Sequence, residues 1–130
     1  MGRENRPASG TWVVDLLKLL FGPPLPAVTP QEAQARLKSR PAPYVLDVRQ
    51  PAEYAEGHIA GATLIPLNQL ADRLRDLPRD REILCVCRSG SRSGSAVRRL
   101  VRDGYNAVNL RGGMSAWQAA GLPVKKGSVR

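Results

Sequence analysis

Ile83-Leu84-Cys85-Val86-Cys87-Arg88-Ser89-Gly90-Ser91-Arg92-Ser93 runs directly into Gly94-Ser95-Ala96-Val97-Arg98-Arg99-Leu100-Val101. The first five residues are apolar or β-compatible and contain no turn former. Small, polar and basic residues then arrive abruptly, and apolar pairs recur at Ala96, Val97, Leu100 and Val101. The pattern predicts a strand, a tight loop and a helix. A Ser- and Gly-rich loop between a buried strand and a helix N-terminus turns several backbone N–H groups toward one point, and such a nest attracts an anion. Cys87 falls at the mouth of that nest between Arg88 and Arg92, so the helix dipole, the loop donors and the cations would all favour its thiolate. Cys85, two residues back among Leu84 and Val86, is out of reach of the loop and reads as a packing residue.

The remainder of the chain repeats this alternation. Thr29-Pro30-Gln31-Glu32 is a capping box with Pro at the first helical position, predicting a helix to about Ser39. Tyr44–Val48 reads as a short strand leading into Arg49-Gln50-Pro51, then a single turn at Ala52–Ala55, a bend at Gly57-His58, and a strand at Ala62–Ile65. Leu67, Leu70, Ala71, Leu74 and Leu77 mark an amphipathic helix. After the Cys87 helix come a strand at Ala107–Leu110 and a helix at Met114–Ala120, opened by Gly112-Gly113 and closed by Gly121. Alternating strands and helices imply an α/β fold with a mostly parallel sheet and helices on both faces. Ligands in such sheets bind beyond the carboxyl ends of the strands, which places Asp47 with Arg49, Cys87 with its loop, and Arg111 along one rim. For Asp47 and Arg49 a structural ion pair is an equal reading, and His58 reads as structural because nothing adjacent marks it as a base.

Composition narrows the options. With 130 residues and 42% hydrophobic content the chain can bury a core without staples. Two cysteines spaced Cys-x-Cys cannot bridge each other along a strand, and with His58 they are too few for a zinc site, so a reducing, cytoplasmic compartment is expected. Residues 83–130 carry nine basic side chains against Asp103 alone, so nearly all of the net +9 belongs to the half that holds Cys87. A field of that sign would gather small anions or an acidic protein partner. Nucleic acid is not expected, since neither interleaved aromatics nor a zinc-finger or RNA-binding signature accompanies the charge.

Residues 1–26 divide from this domain. Residues 1–10 read as disordered, and residues 11–21 as a short amphipathic helix with Thr11, Asp15 and Lys18 on its narrow polar stripe. Gly22-Pro23-Pro24-Leu25-Pro26 makes a stiff linker. The helix is too short to span a bilayer, and packing on protein is favoured over a membrane surface because Lys18 is its one basic residue. The expected division is therefore 1–26, a domain at 27–124, and a basic tail at 125–130.

Three motifs in this order resemble those of single-domain rhodaneses. They are Val45-Leu46-Asp47-Val48-Arg49-Gln50-Pro51 with Glu53-Tyr54 and Gly57-His58-Ile59-Ala60-Gly61-Ala62, the loop Cys87–Ser93, and Arg111-Gly112-Gly113-Met114 with Trp117. The resemblance covers about residues 27–124 and implies a rhodanese-like fold with a five-stranded, mostly parallel sheet. It further implies a sulfurtransferase in which Cys87 carries a persulfide, held by the loop Arg88, Ser89, Gly90, Ser91 and Arg92. A small anionic donor such as thiosulfate, and cyanide or a thiol as acceptor, are the implied substrates, with no metal or organic cofactor. Two other readings stay open: a sulfur carrier or interaction module without turnover, and a Cys-based phosphatase or arsenate reductase. Against the latter, Cys87 and Arg92 have four residues between them where phosphatase loops of this kind have five. The tighter ring suits a single terminal sulfur better than a phosphoryl group, in a site where about half an ångström matters.

Overall fold

The computed structural model describes residues 24–129. The expectations for residues 1–23 lie outside it. Five strands form one sheet: β1 (Ala27–Val28), β2 (Tyr44–Asp47), β3 (Thr63–Leu64), β4 (Ile83–Val86) and β5 (Ala107–Leu110), in the order β1-β5-β4-β2-β3. Every pairing is parallel, so the sheet is wholly rather than mostly parallel. Strand β1 was not legible beforehand, because two residues are too few to show a period. It is fixed by β5 and the residue after it, where the N–H groups of Asn109 and Arg111 donate to the carbonyls of Pro26 and Val28 at 2.8 Å.

Among the described residues are four α-helices, α1 (Pro30–Leu37), α2 (Pro51–Glu56) and α3 (Ser91–Arg102) between strands and α4 (Gly113–Ala119) after the last one. The capping box at Thr29 forms as expected, with Thr29 Oγ1 accepting from Glu32 N at 3.1 Å and Glu32 accepting from Thr29 N at 2.9 Å. Helix α1 stops two residues before the expected Ser39, because its last turn tightens to three-residue steps, with Lys38 N donating to the Ala35 carbonyl at 3.2 Å and Ser39 N to the Arg36 carbonyl at 3.1 Å. The single turn expected at Ala52–Ala55 is the six-residue α2. Leu67–Asp76, expected as an amphipathic helix, is wound as a 3-10 helix. The steps of three from Leu67 to Leu70 and from Leu74 to Leu77 suit three residues per turn, and all four leucines pack into one core.

Side chains of β4 alternate between the sheet faces. Ile83, Cys85 and Cys87 point into a core closed by the 3-10 helix and by Ala96, Val97 and Leu100 of α3. Leu84 and Val86 point into a second core with Ala33 of α1 and Met114 and Trp117 of α4. Burial on both faces explains why β4 is continuously apolar rather than alternating. Strand β4 is also central. Chain leaving β2 turns outward to β3, whereas chain leaving β4 goes the other way to β5, so the connections diverge at the carboxyl ends of β2 and β4 and open a crevice there. The packed structure also passes residue 124: His58 and Lys125 exchange backbone hydrogen bonds at 2.9 and 2.8 Å, and Gly127 N donates to the Ala55 carbonyl at 3.0 Å.

Candidate active site

Strand β4 ends at Val86, and Cys87 begins the loop above the crevice. The loop is held from two sides. Gly90 takes φ +98° as it turns into α3, and a Cβ there would stand 3.2 Å from Gly112 N. From the other side, the N–H groups of Met114 and Ser115 at the start of α4 donate to the carbonyls of Cys87 and Arg88 at 2.8 and 2.9 Å. That approach requires glycine at 113, whose φ is +59° and whose Cβ would lie 2.4 Å from the Cys87 carbonyl oxygen.

Inside the loop, Cys87 Sγ lies 3.1 Å from Gly90 N and 3.2 Å from Ser93 Oγ. Cys87 is 0% exposed. Burial pushes its thiol up, but the Ser93 hydroxyl and the N–H groups of Ser93, Gly90 and Ser89 outweigh burial, and the net displacement is below the ordinary thiol value. Cys85 has no such donors, and burial, followed by the nearby charge of Cys87, drives it far upward. The two cysteines therefore sit in opposite surroundings, Cys87 among loop donors and Cys85 in the apolar core.

The rim residues differ in their partners. Asp47 and Arg49 form a buried ion pair: Asp47 accepts from Arg49 Nη2 at 2.7 Å and from Nε at 2.9 Å, while Arg49 also donates to the carbonyls of Glu53 and Gly57 at 3.1 and 2.8 Å. The pair ties the end of β2 to α2 and the following bend, which is the structural reading. His58 is structural too, its Nδ1–H donating to the Tyr54 carbonyl at 2.8 Å and its ring stacked on Tyr54 at 3.7 Å. Arg111 is exposed at the end of β5, between Leu110 and Gly112, whose backbones pack against Gly90 of the loop, and its charge also reaches Glu32.

A cleft of about 140 Å³ opens beside the loop, lined by Arg49, Glu53, Glu56, Arg88, Ser115 and Gln118 among others. Arg88 is exposed at its edge. Arg92 is committed elsewhere, to a bidentate pair with Glu53 at 2.8 and 2.7 Å. The basic excess of the second half is thus only partly at the site. Arg98 and Arg102 lie exposed along α3, and Arg99 pairs with Asp103 at 2.9 Å.

Sequence reasoning missed three residues here. Ser93 closes the loop and touches the sulfur, Asn109 lies behind it on β5, and Glu53 clamps Arg92. Asn109 carried a usable signal, as the one polar residue of an otherwise apolar strand. Among the described residues no group of three or more His, Cys, Asp or Glu side chains is placed to hold a metal, and no helix is long and apolar enough to cross a membrane.

Comparison with known proteins agrees with this geometry. Residues 29–120 match the family model of the rhodanese-like domain. A sulfurtransferase of Allochromatium vinosum is 43% identical over 81 residues, covering 62% of this chain and 76% of that protein. A thiosulfate sulfurtransferase of Pseudomonas entomophila is 38% identical over 93 residues, covering 71% and 84%. Among solved structures, a rhodanese-related protein of Thermoplasma volcanium superposes with a TM-score of 0.73 at 34% identity, covering 77% of this chain and 97% of that one. With the fold, the loop and these relatives in agreement, the chain belongs to the rhodanese-like domain family and is a rhodanese-type sulfurtransferase in general class.

Proposed function

We propose that this protein transfers a sulfane sulfur from a small anionic donor, thiosulfate or one like it, to cyanide or a thiol through a persulfide on Cys87. The observation that carries the reading is the coordination of Cys87 Sγ by loop donors in a site that also lowers its thiol pKa. In the first half-reaction the Cys87 thiolate attacks the outer sulfur of thiosulfate, a sulfur–sulfur bond forms, and sulfite departs with the electron pair of the bond that breaks. The new outer sulfur carries the negative charge, and backbone donors of the loop stabilise it as fixed dipoles that need no reorganisation. In the second half-reaction cyanide or a thiolate attacks that outer sulfur, and Cys87 leaves as the thiolate again. No net oxidation occurs.

The pairing of Arg92 with Glu53 favours sulfur transfer over phosphate chemistry. A phosphatase of this loop type needs its arginine aimed at the oxyanion above the cysteine, and here both guanidinium ends engage a carboxylate. Thiosulfate:cyanide transfer and aryl phosphate hydrolysis should therefore be assayed on one preparation. Sulfur transfer with negligible hydrolysis is expected. Cys87-dependent hydrolysis exceeding sulfur transfer would overturn the reading.

A further inference from the structure

Asn109 is buried on β5 at 5% exposure, and its amide is engaged at both ends. Nδ2 donates to the Gly90 carbonyl at 3.0 Å, and Oδ1 stands 2.6 Å from Ser93 Oγ. Because the Gly90 carbonyl only accepts, it fixes which end of the amide faces the loop, and Oδ1, also an acceptor, faces Ser93. Ser93 is 0% exposed and has one hydroxyl proton. Two acceptors compete for it, Asn109 Oδ1 at 2.6 Å and Cys87 Sγ at 3.2 Å. The shorter contact holds the proton at rest, and Ser93 then turns a lone pair toward the sulfur, where it can accept from the S–H of a neutral thiol.

We infer that Asn109 is a positioning residue that holds the Ser93 hydroxyl proton away from Cys87 while the cysteine is neutral and releases it to Sγ when the sulfur becomes an anion. The inference rests on Cys87 as the sulfur carrier and concerns how its charge is managed. Sγ is anionic before it attacks the donor and again as the outer sulfur departs, and at both points the Ser93 hydroxyl swings to it. In between, Sγ is a neutral bridging sulfur with the charge on its neighbour, and the proton returns to Asn109. Asn109 thereby limits how strongly the resting site favours the thiolate.

The charged and titratable groups around Cys87 are Cys85 on β4, the Asp47–Arg49 pair at the end of β2, Arg92 with Glu53 from α3 and α2, and Arg88 in the loop. From β5 the side chain that meets Ser93 is Asn109, which is neutral, and from α4 the contact with Cys87 is the backbone N–H of Met114. Replacing Asn109 changes no charge among them, so its effect on Cys87 is read through Ser93.

The test is the pH dependence of Cys87 thiolate, followed by ultraviolet absorbance and by iodoacetamide alkylation. The variants are Asn109→Ala, Asn109→Val, Ser93→Ala and the Ser93→Ala/Asn109→Ala double. Val keeps strand preference, carries no hydrogen-bonding group and guards against an unfolded alanine variant. With its competitor gone, Ser93 is free to donate to sulfur. Both Asn109 variants should therefore lower the midpoint by about half a unit to one unit, giving roughly three- to tenfold more thiolate below the wild-type midpoint. Ser93→Ala should raise it, and in that background Asn109→Ala should bring no fall. If Asn109 served only to hold Gly90 in place, its loss would loosen the loop donors and move the midpoint up or not at all; that result overturns the inference. The titration needs no turnover, so a failed sulfur-transfer assay would count against the proposed function and not against this midpoint.

Discussion

Glu53 of α2 grips Arg92 of α3 through both oxygens, at 2.8 and 2.7 Å, and so joins the active-site loop to the segment after β2. The hydrogen bond from Arg92 holds the Glu53 carboxyl at about 2, aided by the Gln50 N–H, and Arg92 is raised in return. Both side chains are partly exposed, so solvent screening keeps the stability contribution below about 1 kcal/mol. The consequence for function is larger, since Arg92 is not free to meet an incoming dianion. Glu53→Gln retains the Gln50 cap through Oε1 and releases the guanidinium. Its KM for thiosulfate should fall by about three- to tenfold, with the gain fading at high salt. An unchanged or higher KM in a folded variant would show that Arg92 takes no part in donor binding.

The same pair sets a pH expectation. The folded-state pKa of Glu53 lies below its ordinary value, so the stability it brings is complete above the ordinary carboxylate range and is lost as pH falls toward about 2. Between pH 6 and 9 the pair does not titrate, and the acid limb of kcat/KM for thiosulfate in that range should follow Cys87. Alkylation of Cys87 should share that limb, with a midpoint below the usual free thiol value of about 8.5. A limb that persisted while alkylation stayed flat would assign it to another group.

Cys85→Ser should keep most of the activity while lowering stability by about 1–3 kcal/mol, because it places a hydroxyl among Leu46, Ile83 and Val97 in a dry core. Urea unfolding alongside the transfer assay separates the two effects. Activity lost in step with a Cys87 variant, at temperatures where the protein is folded, would give Cys85 a chemical role.

Gly113→Ala should abolish most of the activity. The new Cβ would collide with the Cys87 and Arg88 carbonyls, and φ +59° is strained for alanine, so the loop must shift and stability should fall by at least about 1–2 kcal/mol. Gly121→Ala is the comparison: φ is +73° there, but nothing lies within 4 Å of the added carbon, so strain acts alone. Its transfer rate should stay near wild type, and equal loss of rate in both variants would exclude the loop collision as the cause.

How much of this was legible in the sequence depended on whether local pattern carried the signal. Strand β4, the loop and α3 announced themselves because apolar residues gave way to Ser, Gly and Arg within a few positions. The capping box at Thr29 formed as read, since both of its bonds are local. By contrast, β1 depends on β5 across the whole chain, and the 3-10 winding of Leu67–Asp76 depends on how its leucines seat against α3. At the site, Cys87 and its loop could be read directly. The partners of Arg92 and Ser93 could not, because Glu53 and Asn109 are 39 and 16 residues away and meet them only once the sheet has ordered the strands. Charge counting pointed to a strongly basic site, but several of those arginines lie along α3 or pair with acids.

The most direct measurement is intact mass after incubation with thiosulfate and removal of excess donor. Wild-type protein and Cys85→Ser should each gain one sulfur, lost again on adding cyanide, and Cys87→Ser should gain none. Added sulfur retained in Cys87→Ser, or absent from the wild type, would contradict a Cys87 persulfide.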